Sequence, residues 1–136
     1  MREIKILMID DHEDDLILFR EMLEDAGFIG EVIGFGGVGG ARIYLEKMRA
    51  EGKLEEVGII FLDLNMPIVN GFEYLEELRG DGDFRKIPVI MISGSRREIE
   101  KEMALEKGAI AYFVKPIGFE AIVSAVQGLP MKWSLS

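Results

Sequence analysis

Five short apolar runs recur along the chain: IKILMID (4–10), EVIGF (31–35), GIIFLD (58–63), PVIMIS (88–93) and AYFVK (111–115). Most are apolar without interruption, the pattern of strands covered on both faces. The longer segments between them place apolar residues every three or four positions, as one face of a helix does. Leu16, Phe19, Leu23 and Ala26 form the first such stripe, closed by Gly27; Ala41, Tyr44, Leu45 and Met48 form the second, and Phe72, Leu75 and Leu78 the third. Asn70 followed by Glu73 predicts a capping box at the third helix. Ser95 with Glu98 predicts the same at a fourth, which carries Ile99 and Met103 and stops at Gly108. Phe119, Ile122, Val123 and Val126 make the last stripe, stopped by Gly128. Five strand–helix units in series predict an α/β fold, a doubly wound parallel sheet with helices on both faces and right-handed crossovers.

Ligands of such sheets bind beyond the carboxyl ends of the strands, near the point where strand order reverses. The residues that end the strands are therefore the candidate chemistry: Asp10 and Asp11 after the first, Asp63 on the third, Ser93 on the fourth and Lys115 on the fifth. With strand order 2-1-3-4-5, the first and third strands are neighbours roughly 5 Å apart. Three carboxylates then meet at the switch point. Without a cation, charges that close raise at least one carboxyl pKa. Hard oxygen donors with open water positions suit Mg2+. Lys115 is long enough to lean back toward Asp63, and Ser93 offers a hydroxyl between them.

Composition narrows the classes. The 136 residues suffice for one domain with a buried core, and no repetitive or linker-like tract interrupts them. A net charge of −9 opposes binding to nucleic acid or anionic lipid surfaces. No cysteine is present, so disulfides and thiolate metal sites are excluded, and the run IKILMI is too short for a signal peptide or a membrane span. The cytoplasm is the expected compartment. The run GFGGVGG (34–40) has GxGxxG spacing, yet it follows the second strand, at the edge of the sheet, whereas a dinucleotide fingerprint belongs to the first strand–helix turn. It is read as a departure in the turn before the second helix, whose first turn is expected to fray because glycine costs about 1 kcal/mol against alanine inside a helix.

The blocks LMIDD, FLDLNMPIVNG, VIMISGS and AYFVKP, in this order and at these separations, resemble the four signature blocks of response-regulator receiver domains, the chemotaxis-regulator-like phosphoacceptor modules of two-component signalling. The resemblance runs from residue 4 to about 128, and DLNMPIVNG and KIPVIMISGS look similar to stand-alone receivers of the phytochrome-associated kind. It implies a flavodoxin-like (βα)5 fold of order 2-1-3-4-5, with a receiver over 1–128 and a short tail over 129–136. It implies Asp63 as the phosphorylated nucleophile, Asp11 and Asp63 as direct Mg2+ ligands with the Asn65 carbonyl, and Asp10 acting through water. Ser93 and Lys115 would hold phosphoryl oxygens, Gly94 would leave room for the donor, and the Lys115–Pro116 bond would be cis. Ser93 and Tyr112 would be the switch pair, Tyr112 turning inward on phosphorylation and altering the face of the fourth helix, fifth strand and fifth helix. Asn65 and Ser95 occupy positions that tune hydrolysis in the family.

The implied donor is a histidine kinase or phosphotransfer protein, and the implied output is contact with a downstream protein or a homodimer. Such a protein is a signalling module that catalyses transfer to, and hydrolysis from, its own aspartate and is no conventional enzyme. Two alternatives stand beside it: a pseudo-receiver that binds partners without phosphorylation, and an aspartate-nucleophile phosphatase, which would carry a DxD pattern in place of the adjacent acids seen here. His12, the only histidine, is read as a solvated helix-start residue. Glu13, Asp14 and Asp15 are read as acids favoured at a helix N-terminus and not as ligands. Only LPMKWSLS follows Gly128, so no output domain is expected; Trp133 is the candidate partner contact in an otherwise frayed tail.

Overall fold

A computed structural model of the protein describes residues 4–127 and 132–133. Five parallel strands, β1 (Ile4–Ile9), β2 (Phe28–Phe35), β3 (Val57–Asp63), β4 (Val89–Ser93) and β5 (Ala111–Val114), lie in the order β2-β1-β3-β4-β5. They alternate with α1 (Glu13–Asp25), α2 (Val38–Ala50), α3 (Gly71–Arg79), α4 (Glu98–Glu106) and α5 (Phe119–Gln127). This is the doubly wound flavodoxin-like fold that the apolar pattern predicts.

Period-two alternation sorts each strand onto two faces. Ile6, Met8, Ile59, Phe61, Ile90 and Ile92 pack with Phe19 and Leu23 of α1 and Ile122 of α5. Leu7, Ile9, Ile60, Leu62, Val89 and Met91 pack on the other face, with Leu45 of α2, Leu75 of α3 and Ala104 of α4. Phe19 and Phe61 fix α1 over the central strand, their ring centroids 4.6 Å apart and inclined at 59°. The predicted capping box is present at α3: Asn70 accepts from the Glu73 N–H at 3.0 Å, and Glu73 accepts from the Asn70 N–H at 3.2 Å.

Four local readings need correction. β2 begins at Phe28, three residues before the expected EVIGF run; Gly30, at φ 154°, interrupts the side-chain pattern there, but its backbone still pairs with Ile4. Within the tail, Lys132 and Trp133 are not frayed: they form a short antiparallel strand, β6 (Lys132–Trp133), that pairs with Phe28 and Ile29. β2 would otherwise present unpaired edge groups, which a second strand satisfies. The first turn of α2 is helical through Gly39 and Gly40, anchored by buried Val38. α4 starts after Arg97, and the side chain of Ser95 accepts from the Arg97 N–H without capping the helix. Its inward face is Glu100 and Ala104, four residues apart, so Ile99 and Met103 are exposed and not a buried stripe. Gly128, the tail boundary beside it, and the side chains of Phe119, Val126 and Trp133 lie outside the described residues.

At Gly71 the packing beneath the rim leaves no room for a side chain. A Cβ there would sit 2.5 Å from the Asp63 carbonyl oxygen, 2.6 Å from the Met91 methyl and 2.8 Å from the Leu64 Cα. Overpacking of this kind costs typically 1–3 kcal/mol. Gly71→Ala is expected to lower the free energy of urea unfolding by about 2 kcal/mol, whereas Gly39→Ala, with nothing within 4 Å of its Cβ, is expected to raise it by up to about 1 kcal/mol through helix propensity.

Candidate functional site

Strand register brings the predicted residues to one rim. Ile9 pairs with Leu62, so Asp10 and Asp63, each one residue further, are neighbours across β1 and β3. Asp63 pairs with Ile92, and Ser93 pairs with Val114, which sets Ser93 and Lys115 in successive positions along the same edge. The backbone ladder continues past the strands through Asp10 N–H to Phe35 O (3.0 Å), Leu64 N–H to Ile92 O (2.8 Å) and Lys115 N–H to Ser93 O (2.7 Å). Alternation then divides the rim. Asp10, Asp63 and Lys115 continue the face covered by α1 and α5, while Ser93 and Tyr112 continue the face covered by α4.

Apart from tyrosines, Asp10, Asp63 and Ser93 are the only polar or charged side chains buried among the described residues. Unpaired buried charge is costly, and the contacts show how each is compensated. Lys115 Nζ lies 2.7 Å from Asp10 Oδ2, 2.9 Å from Asp15 Oδ2 and 3.5 Å from Asp63 Oδ2. Burial works against the ammonium, but the hydrogen bonds to Asp10 and Asp15 outweigh it and hold the Lys115 pKa above its usual value. Asp10 Oδ1 accepts from the His12 N–H at 2.9 Å and faces His12 Nδ1 at 3.1 Å. Asp63 is served least well. Its Oδ1 accepts only a long bond, 3.4 Å, from the Asn65 N–H, and its Oδ2 has no hydrogen-bond partner. Burial, and then the neighbouring Asp10 charge, push the Asp63 carboxyl up to about 6.

Ser93 Oγ accepts from Asn65 Nδ2 at 3.2 Å and from the Ser95 N–H at 3.0 Å. Both its lone pairs are used, so its O–H is what it has left to give. Tyr112, expected to turn inward on phosphorylation, is already buried here; its hydroxyl donates to the Ser95 carbonyl at 3.0 Å and lies 3.4 Å from Glu100 Oε2. The Lys115–Pro116 bond is cis.

Two residues act here beyond their sequence reading. Asp15 is more than an acid at a helix start, because its carboxylate shares Lys115 with Asp10; its place in the first turn of α1, beside the strand ends, is the signal that points to it. His12 does open α1 and is solvent-facing, yet Nδ1 is also 3.2 Å from Asp11 Oδ1. One donor atom from each of Asp10, Asp11, His12 and Asp63 lies within 4.8 Å of all the others. The buried, unpartnered Asp63 oxygen beside this oxygen-rich set fits a hard divalent cation.

The family profile described as Response regulator receiver domain matches residues 6–127. The chain belongs to that family. Receivers are signalling modules of two-component systems that interact with kinases and downstream targets, and aspartate phosphorylation and Mg2+ binding at an acidic pocket are typical of them. This receiver is similar to two bacteriophytochrome response regulators of known structure. RtBRR is 33% identical, with 99% of this chain and 82% of that chain covered and a TM-score of 0.79. AtBRR is 30% identical, with 100% and 99% covered and a TM-score of 0.80. Response regulator Rcp1 of Synechocystis sp. is 27% identical over 128 residues, 94% of this chain and 87% of Rcp1. The Mn(2+)-bound form of Rcp1 shares the fold at a TM-score of 0.74, with 24% identity over 96% of this chain and 99% of that one. No helix among the receiver's described residues is long and apolar enough to cross a membrane.

The raised Asp63 pKa carries a stability cost with a definite sign. Between the ordinary value of 3.8 and about 6 the folded receiver holds a proton that the unfolded chain has released. The stabilisation from that proton is complete below 3.8 and is lost as pH rises through about 6. Asp63→Asn is therefore expected to raise the unfolding free energy at pH 7.5 by on the order of 2 kcal/mol without divalent cations, and to change little near pH 4. Mg2+ is expected to raise the Tm of the wild-type receiver and not that of the variant, as thermal unfolding by circular dichroism would show.

Proposed function

We propose that Asp63 accepts a phosphoryl group from the phosphohistidine of a histidine kinase or phosphotransfer protein, and that the receiver, spanning residues 1–128, signals through contact with a downstream protein or a second copy. The observation that supports this best is the state of Asp63: a carboxylate only 2% exposed, at the end of the central strand, with one oxygen unpartnered and an ammonium 3.5 Å away. Nothing in the packing of β3 requires an ionisable group in that place, and an apolar residue would avoid the penalty.

The step asks little covalent work of the protein. An Asp63 oxygen attacks phosphorus, the P–N bond breaks, and its electron pair leaves on the histidine nitrogen. Catalysis of such transfer is mostly positioning and charge stabilisation. Asp11, Asp63 and the Asn65 carbonyl are the groups that would hold Mg2+, which when bound supplies positive charge against the carboxylates and phosphoryl oxygens. Asp10 fits a supporting role, since both its oxygens already accept from the chain's own donors. Lys115 is suspended between Asp10 and Asp15 within reach of Asp63, so it turns to a phosphoryl oxygen without crossing the pocket. Ser93 has an O–H, shared with the Tyr112 hydroxyl, to turn toward a second phosphoryl oxygen.

Recruiting Ser93 is also the switch. Ser93 and Tyr112 share the Ser95 segment, so drawing Ser93 toward Asp63 loosens the Tyr112–Ser95 and Tyr112–Glu100 contacts at the start of α4. The α4 surface, with Ile99, Met103 and Leu105 exposed, is the face whose shape this changes. Cytoplasmic kinases would be the donors.

Intact-protein mass spectrometry after incubation with acetyl phosphate tests the reading. A single addition of about 80 Da is expected, present with Mg2+, lost with a chelator and absent from Asp63→Asn. No addition under any of these conditions would overturn the phosphoacceptor reading.

A further inference from the structure

His12 stands at the N-cap of α1 with extended backbone (φ −98°, ψ 106°), and its side chain makes no capping hydrogen bond. The imidazole is thus not spent on the helix it precedes. It turns instead toward the acids, with Nδ1 3.1 Å from Asp10 Oδ1 and 3.2 Å from Asp11 Oδ1. Donor atoms of one octahedral shell with bonds of about 2.1 Å lie about 3 Å apart when cis and about 4.2 Å when trans. The set formed by Asp10, Asp11, His12 and Asp63, within 4.8 Å throughout, is close to that spacing. The second observation is the Asp63 Oδ2 atom, buried and without a hydrogen-bond partner in the same place.

The donors divide by chemistry. Asp10 Oδ1 and Oδ2 are taken by His12 and Lys115. Asp11 and Asp63 remain as carboxylates open to a cation, and His12 is the one nitrogen donor, its side chain 62% exposed and its Nδ1 already turned into the acidic set. Carboxylate, carbonyl and water suit Mg2+, whereas imidazole adds affinity for Zn2+, Co2+ and Ni2+.

We propose that His12 is a nitrogen ligand of the acidic pocket and makes it a site for imidazole-accepting transition-metal ions, Zn2+ above all, in competition with Mg2+. The proposal rests on the reading of Asp11 and Asp63 as cation-holding acids. It gives the receiver a metal preference that a pocket of oxygen donors alone lacks, and it places a transition-metal ion where it would compete for the phosphoacceptor site.

The test uses the full chain, untagged and 15N-labelled. Because His12 is the only histidine, its two ring nitrogens are identified in a long-range 1H–15N spectrum without further assignment. Zn2+ is expected to move one ring nitrogen to a metal-bound shift, and Mg2+ to leave both in place. By titration calorimetry, His12→Gln is expected to weaken Zn2+ at least about tenfold and Mg2+ less than twofold, while Asp63→Asn weakens both. Zn2+ bound with both ring nitrogens unmoved, or equal losses for the two metals in His12→Gln, overturns the proposal and leaves the acidic pocket standing. Failure of the wild-type chain to bind either metal overturns both. The spectrum of the wild-type chain decides the matter even where a variant folds poorly.

Discussion

The ammonium of Lys115 holds the rim of this receiver together. It meets Asp10 and Asp15 at hydrogen-bond distance and Asp63 slightly further out, so one positive charge is divided among three carboxylates while Asp11 stands beside them. Two of those carboxylates are buried, and in a low-dielectric surrounding a divided charge leaves a deficit. The deficit falls on Asp63. Everything around the site is arranged so that it cannot relax away. The β1–β3 register sets Asp10 against Asp63, the Phe19–Phe61 contact fixes α1 above them, and the close approach of Gly71 to the Asp63 carbonyl pins the start of α3.

Strand alternation divides the rim into two sets of side chains. The charged residues continue the α1 and α5 face. Ser93 and Tyr112 continue the α4 face. Ser93 links the two sides, since its hydroxyl oxygen is tied to Asn65 on the site side and to the Ser95 segment on the other. The exposed apolar residues of α4 belong to the same logic, because the inward face of that helix is occupied by Glu100 reaching Tyr112 and by Ala104.

The fold and most of the site were legible in the sequence for one reason: each strand is a continuous apolar run closed by a polar residue, and in a parallel sheet all those closures fall on one rim. What was not legible depends on contacts between distant segments. Asp15 reads as a helix-start acid until α1 is laid over the central strand and Lys115, one residue past the end of β5, reaches it. The early start of β2 is hidden by Gly30, and β6 carries no periodicity in two residues, its pairing being dictated by an open edge. Ser95 and Glu98 have the spacing of a capping box, but the Ser93 hydroxyl captures the Ser95 N–H and the helix begins later. Ile68, with φ of 71° and almost fully exposed, has a conformation that no local pattern of a β-branched residue would predict.

The charge deficit at Asp63 governs the chemistry of this rim, and 13C NMR of its side-chain carboxyl measures it directly as pH is varied. A midpoint near 6 is expected without divalent cations, and a midpoint well below that when Mg2+ is present. A midpoint near 3.8 in the cation-free protein would contradict it, since Asp63 would then be as comfortable as a carboxylate in water.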